Sequence, residues 1–269
     1  MTDLDKFIDK TYKELEQRIK EQESEFMAMF MDEYLGDFAI DDMRIKNTSI
    51  NISKVGQIER QFDEAYDEFI LPFLLWYGKK LVDGAEMAAD YFKQQGENIT
   101  KKDTAYVSAM IGLNGNKIVK GGYLWNLGRM TELRTNLQSM VMSAVVSGSK
   151  FNKFMANIKP VFKSTKKERS SLSKYYMKFA YNAVMQVING TSYNLAKKFG
   201  YTHFVYTGGL IEKSRAFCRE RDGNTYSIEE GQSWNNLDWN GKIEGVDFFV
   251  QIAGHNCRHH LQFIKQETN

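Results

Sequence analysis

A chain of 269 residues, 42% hydrophobic and 26% charged, has enough apolar content for a real core in one or two domains. Its 2 prolines, against 18 Phe, 14 Tyr and 13 Met, leave it free to build long helices. No stretch is apolar for long enough to span a bilayer, and the acidic opening Thr2-Asp3-Leu4-Asp5 has no apolar run behind it, so neither a membrane span nor a signal peptide is expected.

The first element is a long amphipathic helix. Leu4, Ile8, Thr11, Leu15, Ile19, Gln22, Phe26 and Met29 recur at three- and four-residue steps, with Glu and Lys between them. Gly36 and the polar run Lys46-Asn47-Thr48-Ser49 close it. A second helix is predicted from Ser53, read as its N-cap, with Val55, Ile58, Phe62, Ala65, Tyr66 and Phe69 on one face. Pro72 is expected to kink or end it, and a third helix follows over 79–94. Gly112 to Asn116 and Gly121-Gly122 are turn signals, with Ile118-Val119 as a short hairpin strand between them. Helix returns over 126–147 and stops at Gly148.

Charge is unevenly placed. Acids outnumber bases up to residue 100, whereas Lys150, Lys153, Lys159, Lys163, Lys166, Lys167, Arg169, Lys174 and Lys178 face the single acid Glu168. Two readings stand side by side: a solvated linker, or a contact for nucleic acid or an acidic protein surface centred on Lys163, Lys166, Lys167 and Arg169. Pro160 and the Ser/Lys run make this the expected boundary, dividing the chain into residues 1–162, a basic linker 163–173 and a unit 174–269. Beyond it a helix is predicted over 172–199, with a candidate break at Gly190. Thr202 to Thr207 reads as a strand ending in Gly208-Gly209, and Asp247 to Gln251 and Leu261 to Ile264 as two more short strands. The fold class is therefore α+β: a mainly α-helical N-terminal region and a small C-terminal α+β unit of short strands and long loops.

Chemistry concentrates in that last unit. Both cysteines and three of the four histidines fall in Ser214-Arg215-Ala216-Phe217-Cys218 and His255-Asn256-Cys257-Arg258-His259-His260. Cys218, His255, Cys257 and His259 are a ligand set suited to tetrahedral Zn2+, which would staple a small loop-rich unit. A Cys218–Cys257 disulfide and a metal-free knot of buried thiols and hydrogen-bonded imidazoles are the alternatives. Arg215 and Arg258 are expected to satisfy loop carbonyls or pair with Asp222 or Asp247. No oxyanion hole, orienting third residue, Walker loop, zinc-protease helix motif or dinucleotide fingerprint accompanies the Cys/His centre, so no enzymatic activity is expected. The rival reading is an enzyme that binds or processes nucleic acid through this centre and the basic stretch.

These segments resemble the Mu F-like head morphogenesis family of tailed bacteriophages, the minor head or minor capsid proteins, over about residues 172 to 264. The helix with Ala180-Tyr181-Asn182-Ala183 and Asn194-Leu195-Ala196 leads through Gly200 into the strand Thr202 to Tyr206. Ser214-Arg215 with Cys218, then Gly223, then Asn256-Cys257-Arg258 follow the family's order. The chain departs from the pattern in having His259 at the family's final Cys, Gly254 at its His and His255 at its Pro. The resemblance implies a non-enzymatic virion component: a partner of the portal and major capsid proteins, inside the capsid near the portal, present in the host cytoplasm during assembly, and acting in head morphogenesis and DNA packaging or delivery.

Overall fold

The computed structural model describes residues 3–36 and 38–265. In chain order the helices are α1 (Asp3–Ala28), α2 (Ser49–Ala65), α3 (Leu71–Gln94), α4 (Lys102–Ile111), α5 (Tyr123–Arg129), α6 (Thr131–Val146), α7 (Phe151–Phe162), α8 (Ser171–Lys198), α9 (Ala216–Arg221), α10 (Ile228–Ser233) and α11 (Phe248–Gln251). The strands are β1 (Ile40–Asp41), β2 (Arg44–Ile45), β3 (Leu113–Asn114), β4 (Lys117–Ile118), β5 (His203–Thr207), β6 (Thr225–Ser227) and β7 (His260–Ile264). The chain is mainly helical with small antiparallel sheets, as expected of the α+β class.

Two compact units share these elements. One, the site unit, takes Met1–Tyr12, Gly78–Asn114 and Lys178–Asn269; the other, the helical unit, takes Lys13–Tyr77 and Gly115–Met177. The stretch 163–173 lies inside the helical unit, so the units do not coincide with the linear division at that stretch. The reason is that α1, α3 and α8 each contribute to both, which no local change of composition announces.

In the helical unit, Phe26, Phe30, Phe62 and Phe162 are fully buried, with Phe26 stacked on Phe162 at 5.4 Å. The cap of α2 is Thr48, whose Oγ1 accepts from Asn51 N at 3.3 Å; Ser53, the expected cap, sits inside the helix and bonds back to the Ile50 carbonyl. Pro72 does not end the helical run. The turn Tyr66–Ile70 before it is π-helical, with Leu71 N–H reaching back to the Tyr66 carbonyl, and α3 continues from there. The helix expected over 126–147 is two, because Met130 (φ 48°) breaks it in the left-handed region.

The basic loop of this unit is anchored. Buried Glu23 accepts hydrogen bonds from Ser164 Oγ (2.5 Å) and Ser170 Oγ, and Ser170 N–H donates to Ser164 Oγ at 2.9 Å. Arg169 pairs with Glu16 at 3.2 Å. Lys163, Lys166 and Lys167 are exposed and have no ion-pair partner among the described residues.

Arg134 lies between α2 and α6, 3% exposed at its side chain, with Nη1 donating to Glu59 (2.9 Å) and Asp63 (3.1 Å) and its guanidinium over the Phe62 ring. Its Nε and Nη2 are buried without partners. A buried ion gains most when fully paired, so removing the cation and removing its anions are unequal perturbations. Arg134→Met is expected to shift stability by less than about 1.5 kcal/mol. Glu59→Gln with Asp63→Asn strands the buried cation and is expected to cost at least about 2 kcal/mol. Urea unfolding of the two variants checks that order.

In the site unit, β5 is the centre of the antiparallel sheet β6-β5-β7, with Phe204 opposite Tyr226 and Phe263, and Thr207 opposite His260. Phe204, Phe248, Phe249 and Phe263 form the core on one side of it. The helix α8 runs through Gly190 without a break. Residues Phe248–Gln251, expected as a strand, are the short helix α11. Asp247 Oδ1 caps it by accepting from Phe249 N–H (2.8 Å), and Asn235 Oδ1 takes Phe248 N–H (2.7 Å).

Candidate metal centre

Cys218 sits on α9, which starts after Arg215; Cys218 N–H donates to the Arg215 carbonyl. The second Cys/His segment enters from α11 through Gly254 (φ 87°) and Asn256 (φ 58°) before β7 begins at His260. These two left-handed residues turn the chain, and Cys257 N–H closes the turn on the Gly254 carbonyl at 3.1 Å. The result is a group of three: Cys218 Sγ, Cys257 Sγ and a ring nitrogen of His259 all lie within 4.8 Å of one another. All three residues are buried, at 2%, 7% and 5% exposure.

His255 does not join them. It is exposed, its Nδ1 meets Asn182 Nδ2 at 3.0 Å, and its carbonyl accepts from Arg215 Nη2. His260 is buried beside His259 but faces Asp5, with Nδ1 3.8 Å from Oδ1; burial holds its pKa below the usual imidazole value, and Asp5 partly offsets this.

The three donors fit a metal. Tetrahedral zinc, with Zn–S near 2.3 Å and Zn–N near 2.0 Å, places neighbouring ligand atoms about 3.5 to 3.8 Å apart. Cys257 Sγ and His259 Nδ1 stand 3.5 Å apart. Both cysteines are free thiols. The Cys257 thiol donates to Cys218, and His259 and Tyr206 add to the effect, so the Cys218 thiol is held far below its ordinary pKa although burial opposes this. The Cys257 thiol is pushed up by that same hydrogen bond and by burial. Two thiols, one of them with its pKa depressed, beside an imidazole are the donor set of a thiolate-rich zinc site. Tyr206, fully buried in β5, donates its hydroxyl to Cys218 Sγ at 3.4 Å and lays its ring 5.0 Å from that of His259.

The surrounding loops are fixed by close approach and by arginines. A Cβ on Gly208 would come within 2.7 Å of His259 Cα and 3.0 Å of its ring, so only glycine lets β5 end against this imidazole. Arg215 reaches the His255 carbonyl, and Arg219 donates to the carbonyls of Ser214, Ile211 and Glu212. Arg221 lies 3.9 Å over Phe217 and 4.7 Å over Trp234. Arg258 bonds the Tyr181 hydroxyl (3.1 Å) and pairs with Asp9 (3.1 Å), an acid the sequence reading did not consider for it. Tyr206 was missed as a neighbour of the cluster, and Asp222, expected as a partner of an arginine, stands instead beside His259. Asp222 stands four residues after Cys218, one helical turn on, and that spacing is the signal that could have found it.

No protein-family model, curated protein or solved structure matches this chain. No helix among the described residues is long and apolar enough to cross a membrane.

Proposed function

We propose that this chain is a minor head protein of a tailed bacteriophage, an assembly component of the virion and not an enzyme, stapled by a structural Zn2+ on Cys218, Cys257 and His259. The observation that supports this most is the meeting of the two short motifs on which the resemblance to the Mu F-like family rests. Cys218, from the Ser214-Arg215 segment, and Cys257 and His259, from the Asn256-Cys257-Arg258 segment, share one buried cluster although about forty residues of chain separate them. A unit with a three-stranded sheet and long loops gains stability from such a cross-link, because it offsets closure entropy. The flanking arginines Arg215 and Arg219 are engaged with loop carbonyls, which suits a supporting role. Bound zinc would hold the two segments together, and Tyr206 would donate to a coordinated thiolate. The portal and major capsid proteins are the partners in this reading, and exposed Lys163, Lys166 and Lys167 on the anchored loop are the residues a DNA contact would use.

The test is co-expression with the portal and major capsid proteins of the parent phage. The chain is expected inside procapsids, at the portal vertex in averaged images. Procapsids that exclude it, or a hydrolytic or nuclease activity that disappears with Cys218→Ser, would overturn the proposal.

A further inference from the structure

The two ring nitrogens of His259 have different surroundings. Nδ1 faces Cys257 Sγ at 3.5 Å. Nε2 is buried with no hydrogen-bond partner, and the nearest carboxylate oxygen, Asp222 Oδ1, lies 3.3 Å away but off the line of a hydrogen bond. Asp222 is itself held in place. Its Oδ1 accepts from Gly209 N–H at 3.2 Å, and its backbone N–H donates to the Cys218 carbonyl at 2.9 Å. Cys218, which supplies one sulfur of the cluster, thus also sets the position of the carboxylate beside the imidazole.

We infer that Asp222 is the positioning residue of this centre: His259 binds the metal through Nδ1 and directs its Nε2 proton to the Asp222 carboxylate. This rests on the metal reading proposed above. A metal on Nδ1 takes that lone pair and leaves the proton on Nε2, where a buried N–H needs an acceptor. The carboxylate supplies it, fixes the ring orientation and raises the basicity of the ligating nitrogen. Gly208 and Gly209 serve the same geometry, one by letting β5 approach the imidazole and the other by holding Asp222.

The experiment compares the unaltered 269-residue chain with its Asp222→Asn and Asp222→Ala variants. Zn2+ affinity is read by competition with a chromophoric chelator, and ligand identity by the thiolate-to-metal charge-transfer band after Co2+ substitution. Asp222→Ala is expected to weaken Zn2+ about 10- to 100-fold while keeping the thiolate band. Asp222→Asn, which retains an acceptor for both Gly209 N–H and Nε2–H, is expected to fall between the two. Thermal unfolding of the metal-free proteins separates a general loss of stability from a loss of affinity. Wild-type protein that binds no Zn2+ overturns the metal reading and this inference with it. Wild-type protein that binds Zn2+, with Asp222→Ala binding equally well, overturns the inference alone.

Discussion

Gly254→Ala is expected to disrupt the site unit more than any other glycine-to-alanine change among the described residues. A Cβ at position 254 would lie 1.8 Å from the Gly241 carbonyl oxygen and 2.6 Å from its carbon. The obstacle is backbone, and that backbone is itself committed, because the Gly241 carbonyl accepts from His255 N–H at 2.9 Å. Residue 254 also has φ 87°, where a side chain is strained before any clash is counted. The two effects together are expected to cost on the order of 3 kcal/mol or more. Gly223→Ala is the control: φ is 81° there, but nothing lies within 4 Å of the added carbon, so only the left-handed penalty of about 1 kcal/mol applies. Chemical unfolding of both variants measures the difference. Equal losses would mean that the 241–242 and 254–255 segments are not packed as described.

On the proposed zinc site, a strong chelator is expected to have the second large effect. The site unit has a sheet of three strands and a long loop between α10 and α11, so a metal on Cys218, Cys257 and His259 would carry much of its loop closure. With a strong chelator present, its unfolding transition is expected to fall by roughly 10 °C or more, several kcal/mol for a unit of this size. A reductant is expected to do nothing, because both cysteines are already thiols. Hydrogen exchange followed by segment separates the units. Loss of protection in β5, β6 and β7 with α2 and α6 unchanged is the expected pattern. Sensitivity to reductant with indifference to chelator would instead favour a disulfide.

The helices were legible because a 3.6-residue apolar period survives over many turns: Leu15, Ile19 and Phe26 of α1 are all buried, as that spacing requires. The π turn at Tyr66–Ile70 and the left-handed Met130 were not legible, since both leave the apolar period almost intact while altering the backbone between its peaks. Phe248-Phe249-Val250 was read as a strand because three apolar residues carry no period at all; the helix there is decided by Asp247 and Asn235 taking two backbone N–H groups. At the candidate site, the collection of Cys and His at two points signalled that the points meet. Which histidine takes part depended on the backbone between them. Alternation along a strand would put His255, Cys257 and His259 on one side, but Gly254 and Asn256 make that stretch a turn, and His255 leaves toward Asn182. The interleaving of the two units comes from long helices used twice, and composition along the chain carries no trace of it.

The most direct test of the metal centre is X-ray absorption on protein purified without added zinc and without a histidine tag, alongside its metal content. About one zinc per chain is expected, with two sulfur neighbours near 2.3 Å and a histidine nitrogen near 2.0 Å, and loss of the zinc in Cys257→Ser. Protein that is fully folded, carries no zinc and takes up none when it is supplied would contradict this.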